Sequence, residues 1–216
     1  MISLYLFLMM LITLMIYHGF HANLKSTPHK IKVLSIVALI TILLRCLSLF
    51  TLFFTKDMLY LYLLKPFVFL DIIYIPLIIL ICVYIFSRNV RVNFSYAFVL
   101  AFVFMIIFLV VTYKGTFNIK YLEGYGYFID LAFKDYLNWG FILVNSAVLI
   151  YCTITLGSKQ VITKGVLMLL FSSLLFMLEI MLHLLGIELL PLNLIGEAMY
   201  ILTLNYGLST FKQSKY

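Results

Sequence analysis

Apolar residues fill the chain in seven long runs, separated by short stretches that hold most of the charged residues. Each run has about twenty residues, the length that an α-helix needs to cross the hydrocarbon core of a bilayer. The runs cover approximately residues 2–20, 32–54, 65–87, 94–113, 136–156, 163–185 and 191–210. This pattern predicts an all-α integral membrane protein with seven transmembrane helices, folded as a single domain over residues 1–216.

Composition agrees with a membrane location. Of the 216 residues, 65% are apolar and 11% are charged, and the mean hydropathy is +1.17. A soluble domain is roughly half apolar and a quarter charged. Few residues remain outside the runs, so we expect the protein to act within the bilayer or through a partner protein. Abundant Ile, Lys, Tyr and Phe indicate an AT-rich genome, and we expect a bacterial cytoplasmic membrane.

Basic residues occupy alternate loops, and this asymmetry predicts an orientation. One set of loops carries nine Lys and Arg residues without an acid, whereas the other set carries five lysines mixed with acids. Because basic loops are retained in the cytoplasm, we expect the amino terminus outside and the carboxyl terminus inside. The net charge of +7 mostly reflects this topology, so nucleic acid is not an expected partner. The first run lacks a small-residue cleavage site and is predicted to be a retained span.

Within the fourth run, the segment 95–111 has no polar residue beyond its first two positions, whereas the other runs after the first carry polar stripes. A helix that is apolar all round faces lipid. The pattern therefore favours a 3+1+3 organisation, with helix 4 as a peripheral connector. In helices 3 and 7, proline precedes an acid and tyrosine follows that acid by three residues, which favours an internal repeat.

Two irregular features lie near the predicted outer surface. The loop at 114–135 is rich in aromatic residues and glycine, and it is expected to be extracellular, as an interfacial anchor or as a lid. Its end, residues 128–136, is predicted to form a short interfacial helix. Within helix 3, Pro76 predicts a kink and a spare carbonyl at Ile72, beside Asp71.

Five ionisable residues fall within the predicted spans: Arg45, Asp71, Glu179, His183 and Glu197. An ionised side chain at bilayer depth costs about 2.5–3.5 kcal/mol on insertion scales, so it normally finds a partner or water. At about 1.5 Å of rise per residue, all except His183 are placed roughly 9–14 Å below the outer surface. Four helices are thus predicted to bring charge to one level.

Helical spacing adds neighbours to these groups. Glu179 and His183 are four residues apart and share a face. Helix 5 contributes a stripe with Asn138 and Asn145. Three acids against one arginine leave an excess of acid, which favours a cation, an amine or protons in an outward-facing pocket. The predicted ligand-binding residues are Arg45, Asp71, Tyr74, Glu179, His183, Glu197 and Tyr200. The alternative is that Arg45 pairs with one acid while the others join helices through hydrogen bonds.

Catalytic signals are weak. The chain has no H-E-x-x-H motif, no serine–histidine motif and no Gly-rich phosphate loop. Zinc held by Glu179 and His183 would need Asp71 or Glu197 as a third ligand. We therefore expect neither enzymatic activity nor a cofactor.

Three segments carry a resemblance to a known family. They are LLKPFVFLDIIYIPLIILICVYIFSRN (63–89), YGYFIDLAFKDYLNWGFILVNSAVLIY (125–151) and KGVLMLLFSSLLFMLEIMLHLLGIELLPLNLIGEAMYILTLNYGLSTFK (164–212). In their hydropathy they resemble the amino-terminal seven-transmembrane sensor region of some bacterial histidine kinases and diguanylate cyclases. The resemblance implies a bundle that looks outward and signals through helix 7. No transmitter segment follows Phe211, so we expect that an output domain is absent or supplied by a separate protein.

Three functions follow as hypotheses. The first is a receptor-like bundle that binds a small ligand or cation from outside and acts through a partner protein. The second is a small transporter, or the substrate-binding subunit of one. The third is a structural subunit of a membrane complex, in which buried acids meet the basic residues of a partner. Few polar residues lie below Glu197 and Asp71, which favours a one-sided receptor over a carrier.

Overall fold

Seven long helices and one β-hairpin form the protein in the computed structural model, which describes residues 2–55, 61–87, 94–122, 125–158, 161–187, 190 and 192–213. The long helices are α1 (Ile2–Ser26), α2 (His29–Phe54), α3 (Asp71–Ser87), α4 (Ser95–Lys114), α5 (Lys134–Thr155), α6 (Thr163–Leu184) and α7 (Leu194–Gln213). A 3-10 helix (Leu61–Leu64) and one helical turn (Lys65–Val68) precede α3. The predicted all-α class is confirmed, apart from the hairpin.

Six helices, α1 to α6, are long and apolar enough to cross a membrane, with α3 counted together with the turns before it. The seventh, α7, has 20 residues but carries Glu197, Thr203 and Asn205. It packs against α1, α3 and α6. Because protein rather than lipid surrounds most of α7, polar side chains are tolerated there that a lipid-facing helix would exclude.

The fourth helix lies at the edge of the bundle, where the sequence places it. Among its residues only Ala97 and Phe108 are buried, and its main neighbour is α3. Large apolar side chains such as Phe102 and Leu109 are exposed on its surface. Helix α4 is therefore suited to face lipid.

Successive long helices run in opposite directions. The hairpin connects the carboxyl end of α4 to the amino end of α5 and therefore lies at one end of the bundle. Helix α4 ends at Lys114, with Gly115 as its C-cap, and β1 begins two residues after this glycine. At the same end, α6 is closed by Gly186 at φ +77°, whose N–H donates to the carbonyl of His183 while Ile187 donates to Leu182. These two bonds form the glycine cap that commonly ends a helix. We call this end of the molecule the hairpin end.

The hairpin consists of β1 (Phe117–Leu122) and β2 (Gly126–Leu131), paired antiparallel with Phe117 opposite Leu131. The predicted interfacial helix at 128–136 is wrong, because its first part is β2 and its last residues begin α5. The alternation of apolar and polar residues in FNIKY, which form most of β1, is typical of a strand. Gly126 has φ +83°, and a Cβ there would lie 2.9 Å from the carbonyl oxygen of Leu52, so the hairpin rests directly on the end of α2.

Candidate ligand-binding site

Arg45 is the centre of a buried polar cluster near the hairpin end. Its side chain is 3% exposed. The Nε atom donates to the carbonyl oxygen of Val68 at 2.8 Å, and Nη1 donates to the hydroxyl of Tyr74 and to Oε1 of Glu197. The Nη2 atom lies 3.6 Å from Oδ2 of Asp71. One guanidinium therefore connects α2 with α7, with α3 and with the turn that precedes α3.

The main chain explains why Val68 can accept a bond from Arg45. The turn Lys65–Val68 ends at Phe69 and Leu70, and α3 starts anew at Asp71. A helix end leaves carbonyl groups without partners inside the helix. From the sequence we expect the helix to be interrupted at Pro76, with the carbonyl of Ile72 as the acceptor without a partner. In the structure α3 runs through Pro76, and the carbonyl that Arg45 uses belongs to Val68.

Electrostatics favour this arrangement because a buried guanidinium needs both compensating charge and hydrogen-bond acceptors. The carboxylate of Glu197 contacts the guanidinium of Arg45 directly and is itself buried. Asp71 supplies a second charge at a looser separation and is more exposed than Glu197. The contact with Asp71 is thus the weaker of the two ion pairs of Arg45, and it lies on the accessible side of the cluster.

Glu179 does not join the Arg45 cluster. Its carboxylate accepts hydrogen bonds from the backbone N–H groups of Gly196 at 2.9 Å and of Ile195 at 3.4 Å. Both groups belong to the first turn of α7, where N–H groups lack partners within the helix and where negative charge is favoured. The acid excess in the predicted pocket is therefore smaller than the sequence indicates, because one acid caps a helix.

Tyr200 belongs to a second polar network, deeper along α7. Its hydroxyl donates to Oδ1 of Asn145 and lies 3.0 Å from Oγ of Ser173. The amide nitrogen of Asn145 donates to the carbonyl of Phe141 at 2.8 Å. Asn145, Ser173 and Tyr200 are fully buried. They are bonded to one another, which accounts for their polarity without a ligand.

A cavity of about 550 Å³ opens between the hairpin and the helices, in the usual size range for small-molecule sites. Three predicted site residues line it, namely Arg45, Asp71 and His183. The four that do not line it are Tyr74, Glu179, Glu197 and Tyr200. The hairpin forms one wall of the cavity, which is the position expected of a lid.

The lining contains residues that the sequence analysis did not assign to the site. Lys134, at the start of α5, places Nζ 2.8 Å from Nε2 of His183. Lys120 and Asp130 form an ion pair of 2.8 Å across the hairpin. Asn138 belongs to the polar stripe seen in helix 5, and it lines the cavity one turn after Lys134. Both lysines and Asp130 fall in the segment 114–135, which the hydropathy pattern assigns to a loop, so their spacing gives no helical face to place them by.

The described lining differs from the acidic pocket that the sequence predicts. It contains three basic residues, Arg45, Lys120 and Lys134, beside two acids, Asp71 and Asp130. Glu179 and Glu197 point to other partners instead. In the described part of the chain, no three His, Cys, Asp or Glu side chains converge to hold a metal ion.

No protein-family model matches the chain, and no curated protein matches it in sequence. The resemblance to bacterial sensor regions stays a prediction.

Proposed function

We propose that the chain is a receptor-like membrane bundle that binds a small ligand in the cavity beside the hairpin and acts through a partner protein. One observation carries this proposal. Arg45 lines the cavity and also holds α2, α3 and α7 together. A ligand that alters the contacts of Arg45 would change the relation of three helices at once.

The proposed orientation puts the cavity on the outer side of a bacterial cytoplasmic membrane. All seven long helices span the bilayer in this proposal, with α7 enclosed by the others. The loops opposite the hairpin end are the basic ones, and they belong in the cytoplasm by the positive-inside rule. The ligand then arrives from outside, and the partner is met at the opposite end of the bundle.

The proposed response begins at the contact between Arg45 and Asp71. This ion pair is loose at 3.6 Å and borders the cavity, whereas Glu197 binds the same guanidinium closely. A ligand that takes the place of Asp71 would loosen the first turn of α3 from α2, while Tyr74 and Glu197 keep the guanidinium attached to α3 and α7. Helices α3 and α7 also meet at the opposite end, where the rings of Phe86 and Tyr206 lie 6.1 Å apart. The bound and free states are then two packings of one bundle.

Transport is the competing function. A carrier needs its site to open to the other side of the membrane as well. Beyond the Arg45 cluster, the polar groups of Asn145, Ser173 and Tyr200 are fully buried and bonded to one another. This closed network supports a one-sided receptor. A structural subunit would instead need no ligand at all.

Filling the cavity tests whether it binds a ligand. Leu137 lines the cavity on α5, and Leu143 is exposed on the same helix, so Leu137→Trp and Leu143→Trp form a matched pair. We expect some members of a panel of small charged and polar metabolites to raise the unfolding temperature of the wild type and of Leu143→Trp in nanodiscs. Leu137→Trp should lose this response, because the indole occupies the ligand volume.

Flux measurements with the same panel separate the rival functions. Wild-type protein in liposomes should not move a stabilising compound across the membrane. Accumulation of that compound inside the liposomes would show a carrier instead. A panel that stabilises none of the three proteins, or stabilises Leu137→Trp equally, would contradict the receptor proposal.

A further inference from the structure

The charged side chains around the cavity already have partners within the fold. Each cation of the described lining contacts another side chain of the protein. The contacts are Arg45 with Asp71 and Glu197, Lys120 with Asp130, and Lys134 with His183. These described groups comprise three positive and three negative charges at neutral pH, with the histidine uncharged. The described lining therefore balances its own charge.

This pairing disfavours a charged ligand. An ion that enters a pocket loses its water, and the loss is recovered only where the pocket supplies opposite charge and hydrogen bonds. A carboxylate in the cavity would compete with Asp71 for Arg45, and an ammonium group would compete with Arg45 for Asp71. An uncharged molecule avoids this cost, because the existing ion pairs keep their charges matched.

Apolar side chains supply much of the cavity wall. Phe69 and Ile72 lie on either side of the start of α3, and Phe128 lies on β2. Leu137 and Phe141 are four residues apart on α5, so they present one apolar face to the cavity. Removing the apolar surface of a ligand from water against such side chains is favourable. The cavity is thus suited to a molecule with an apolar body.

One place in the wall is suited to a hydroxyl group. The Nε and Nη1 atoms of Arg45 donate hydrogen bonds within the fold, but none of the described residues accepts one from Nη2. Nη2 lies 3.6 Å from Oδ2 of Asp71, beyond hydrogen-bond distance, and both residues line the cavity. The other oxygen of Asp71, Oδ1, accepts from the N–H of Ile72 at 3.0 Å. A hydroxyl group can accept from Nη2 and donate to Oδ2 at the same time.

We infer that the cavity binds an uncharged alcohol with an apolar body, whose hydroxyl group lies between Nη2 of Arg45 and Oδ2 of Asp71. The inference rests on the proposed function, since it assumes that the cavity is a ligand site. It places the ligand at the contact where the proposed response begins. An uncharged ligand replaces the cation that the acid count of the sequence favours, because Glu179 caps α7 and Glu197 is paired with Arg45.

Four probes with one ring system test the class of the ligand. They are naphthylmethanol, naphthoate, naphthylmethylammonium and methylnaphthalene, all substituted at the same ring position. In nanodiscs, naphthylmethanol should raise the unfolding temperature of the wild type and of Leu143→Trp more than that of Leu137→Trp. The lipids take up each probe equally in all three samples, so the difference reports binding in the cavity. Naphthoate and naphthylmethylammonium should show no such difference.

Methylnaphthalene and two aspartate variants test the place of the hydroxyl group. From the concentration dependence of the shift, the wild type should bind naphthylmethanol about tenfold more tightly than methylnaphthalene, because hydrogen bonds to charged groups are the stronger ones. Asp71→Ala should lose most of this preference. Asp130→Ala is the matched control, since it removes the other described acid of the lining and should keep the preference.

Several results would overturn the inference. It fails if naphthylmethanol stabilises the wild type no more than Leu137→Trp, or if naphthoate or naphthylmethylammonium stabilises the wild type selectively. It also fails if methylnaphthalene binds as tightly as the alcohol. If Asp71→Ala keeps the preference, or if Asp130→Ala loses it equally, the hydroxyl group does not lie beside Asp71.

One comparison separates the inference from the proposed function. If a charged member of the metabolite panel stabilises the wild type but not Leu137→Trp, the cavity is still a ligand site and only the uncharged class is overturned. If Leu137→Trp keeps every response to the panel and to the probes, the binding site lies elsewhere and both proposals fall.

Discussion

At the scale of single residues, Arg45 shows how a guanidinium is accommodated in an apolar bundle. It has five N–H donors in a fixed plane, which suits partners on several sides. The fold supplies a carbonyl from Val68, a hydroxyl from Tyr74 and carboxylates from Asp71 and Glu197. Its partners come from parts of the chain up to 152 residues away, so the cluster exists only when the bundle is assembled.

Breaking this cluster on one side should be costly. Arg45→Leu leaves Glu197 buried without a cation, and the loss of one partner of a buried ion pair lowers the free energy of unfolding by about 3–5 kcal/mol. The double variant Arg45→Leu/Glu197→Leu removes both charges and should recover much of this loss. Reversible unfolding in mixed micelles measures both values.

The exposed pair Lys120–Asp130 provides the control. The lysine side chain is 63% exposed, and exposed ion pairs contribute about 0–1 kcal/mol. Lys120→Ala should therefore change the free energy of unfolding far less than Arg45→Leu does. Equal losses for Arg45→Leu and the double variant would show that charge compensation is not what the cluster provides.

Residue identity alone could indicate which side chains need partners, but not which partners they find. The sequence brings Arg45 and Asp71 to one level, and the structure places them in contact. Glu179 has the same predicted depth, yet it caps α7 through the N–H groups of Ile195 and Gly196. That outcome depends on the position of a backbone terminus, which hydropathy and helical spacing do not give.

At the scale of elements, the contact between α6 and α7 depends on Gly196. A Cβ at this position would lie 2.7 Å from the Cα of Phe176 and 2.8 Å from its Cβ. Only a residue without a side chain permits this approach, and the approach brings the N–H of Gly196 to the carboxylate of Glu179. Packing and capping at the start of α7 therefore depend on one small residue.

Gly196→Ala should separate the two helices and lower the free energy of unfolding, by about 1–3 kcal/mol as is typical of overpacking. It should also raise the rate of amide hydrogen exchange at positions 195 and 196, since the hydrogen bonds of these two N–H groups to Glu179 lengthen. Gly140→Ala on α5 is the matched control. No atom lies within 4 Å of its added Cβ, and replacing a helical glycine by alanine gains roughly 0.5–1 kcal/mol.

The opposite ranking of the two variants would contradict the close contact of α6 with α7. A loss of stability without faster exchange at Ile195 would locate the strain elsewhere in the bundle.

The long helices could be predicted from the sequence. In a bilayer, a run of about twenty apolar residues must satisfy its backbone N–H and C=O groups internally, and an α-helix does so. The hairpin could not be placed as readily. Its strands have only six residues each, and their aromatic side chains contact residues that are distant in sequence, as Phe128 contacts Tyr5 with ring centroids 6.4 Å apart. The position of the hairpin beside the cavity follows from these tertiary contacts.

At the scale of the whole molecule, the alternation of helix directions permits a test of orientation. The three native cysteines, Cys46, Cys82 and Cys152, are buried and should label poorly with a polar reagent. Asn118 in the hairpin and Ser158 after α5 are exposed and lie at opposite ends of the bundle. They therefore report on the two sides of the membrane.

Asn118→Cys should react with a membrane-impermeant maleimide in intact cells, and Ser158→Cys should react only after permeabilisation, if the hairpin end faces outward. Wild-type protein serves as the control for background labelling. The reverse pattern would place the hairpin end and the cavity in the cytoplasm.

The central position of α7 has a consequence for biosynthesis. If all seven long helices span the bilayer as proposed, α1 to α6 leave the ribosome before α7, which packs against α1, α3 and α6. During that interval Arg45 has no access to Glu197, and its remaining described acidic partner is the more distant Asp71. Integration of α7 then completes the charge balance, caps its own first turn on Glu179 and closes the core in one event. Before α7 is present, the guanidinium of Arg45 therefore lacks the closer of its two carboxylate partners.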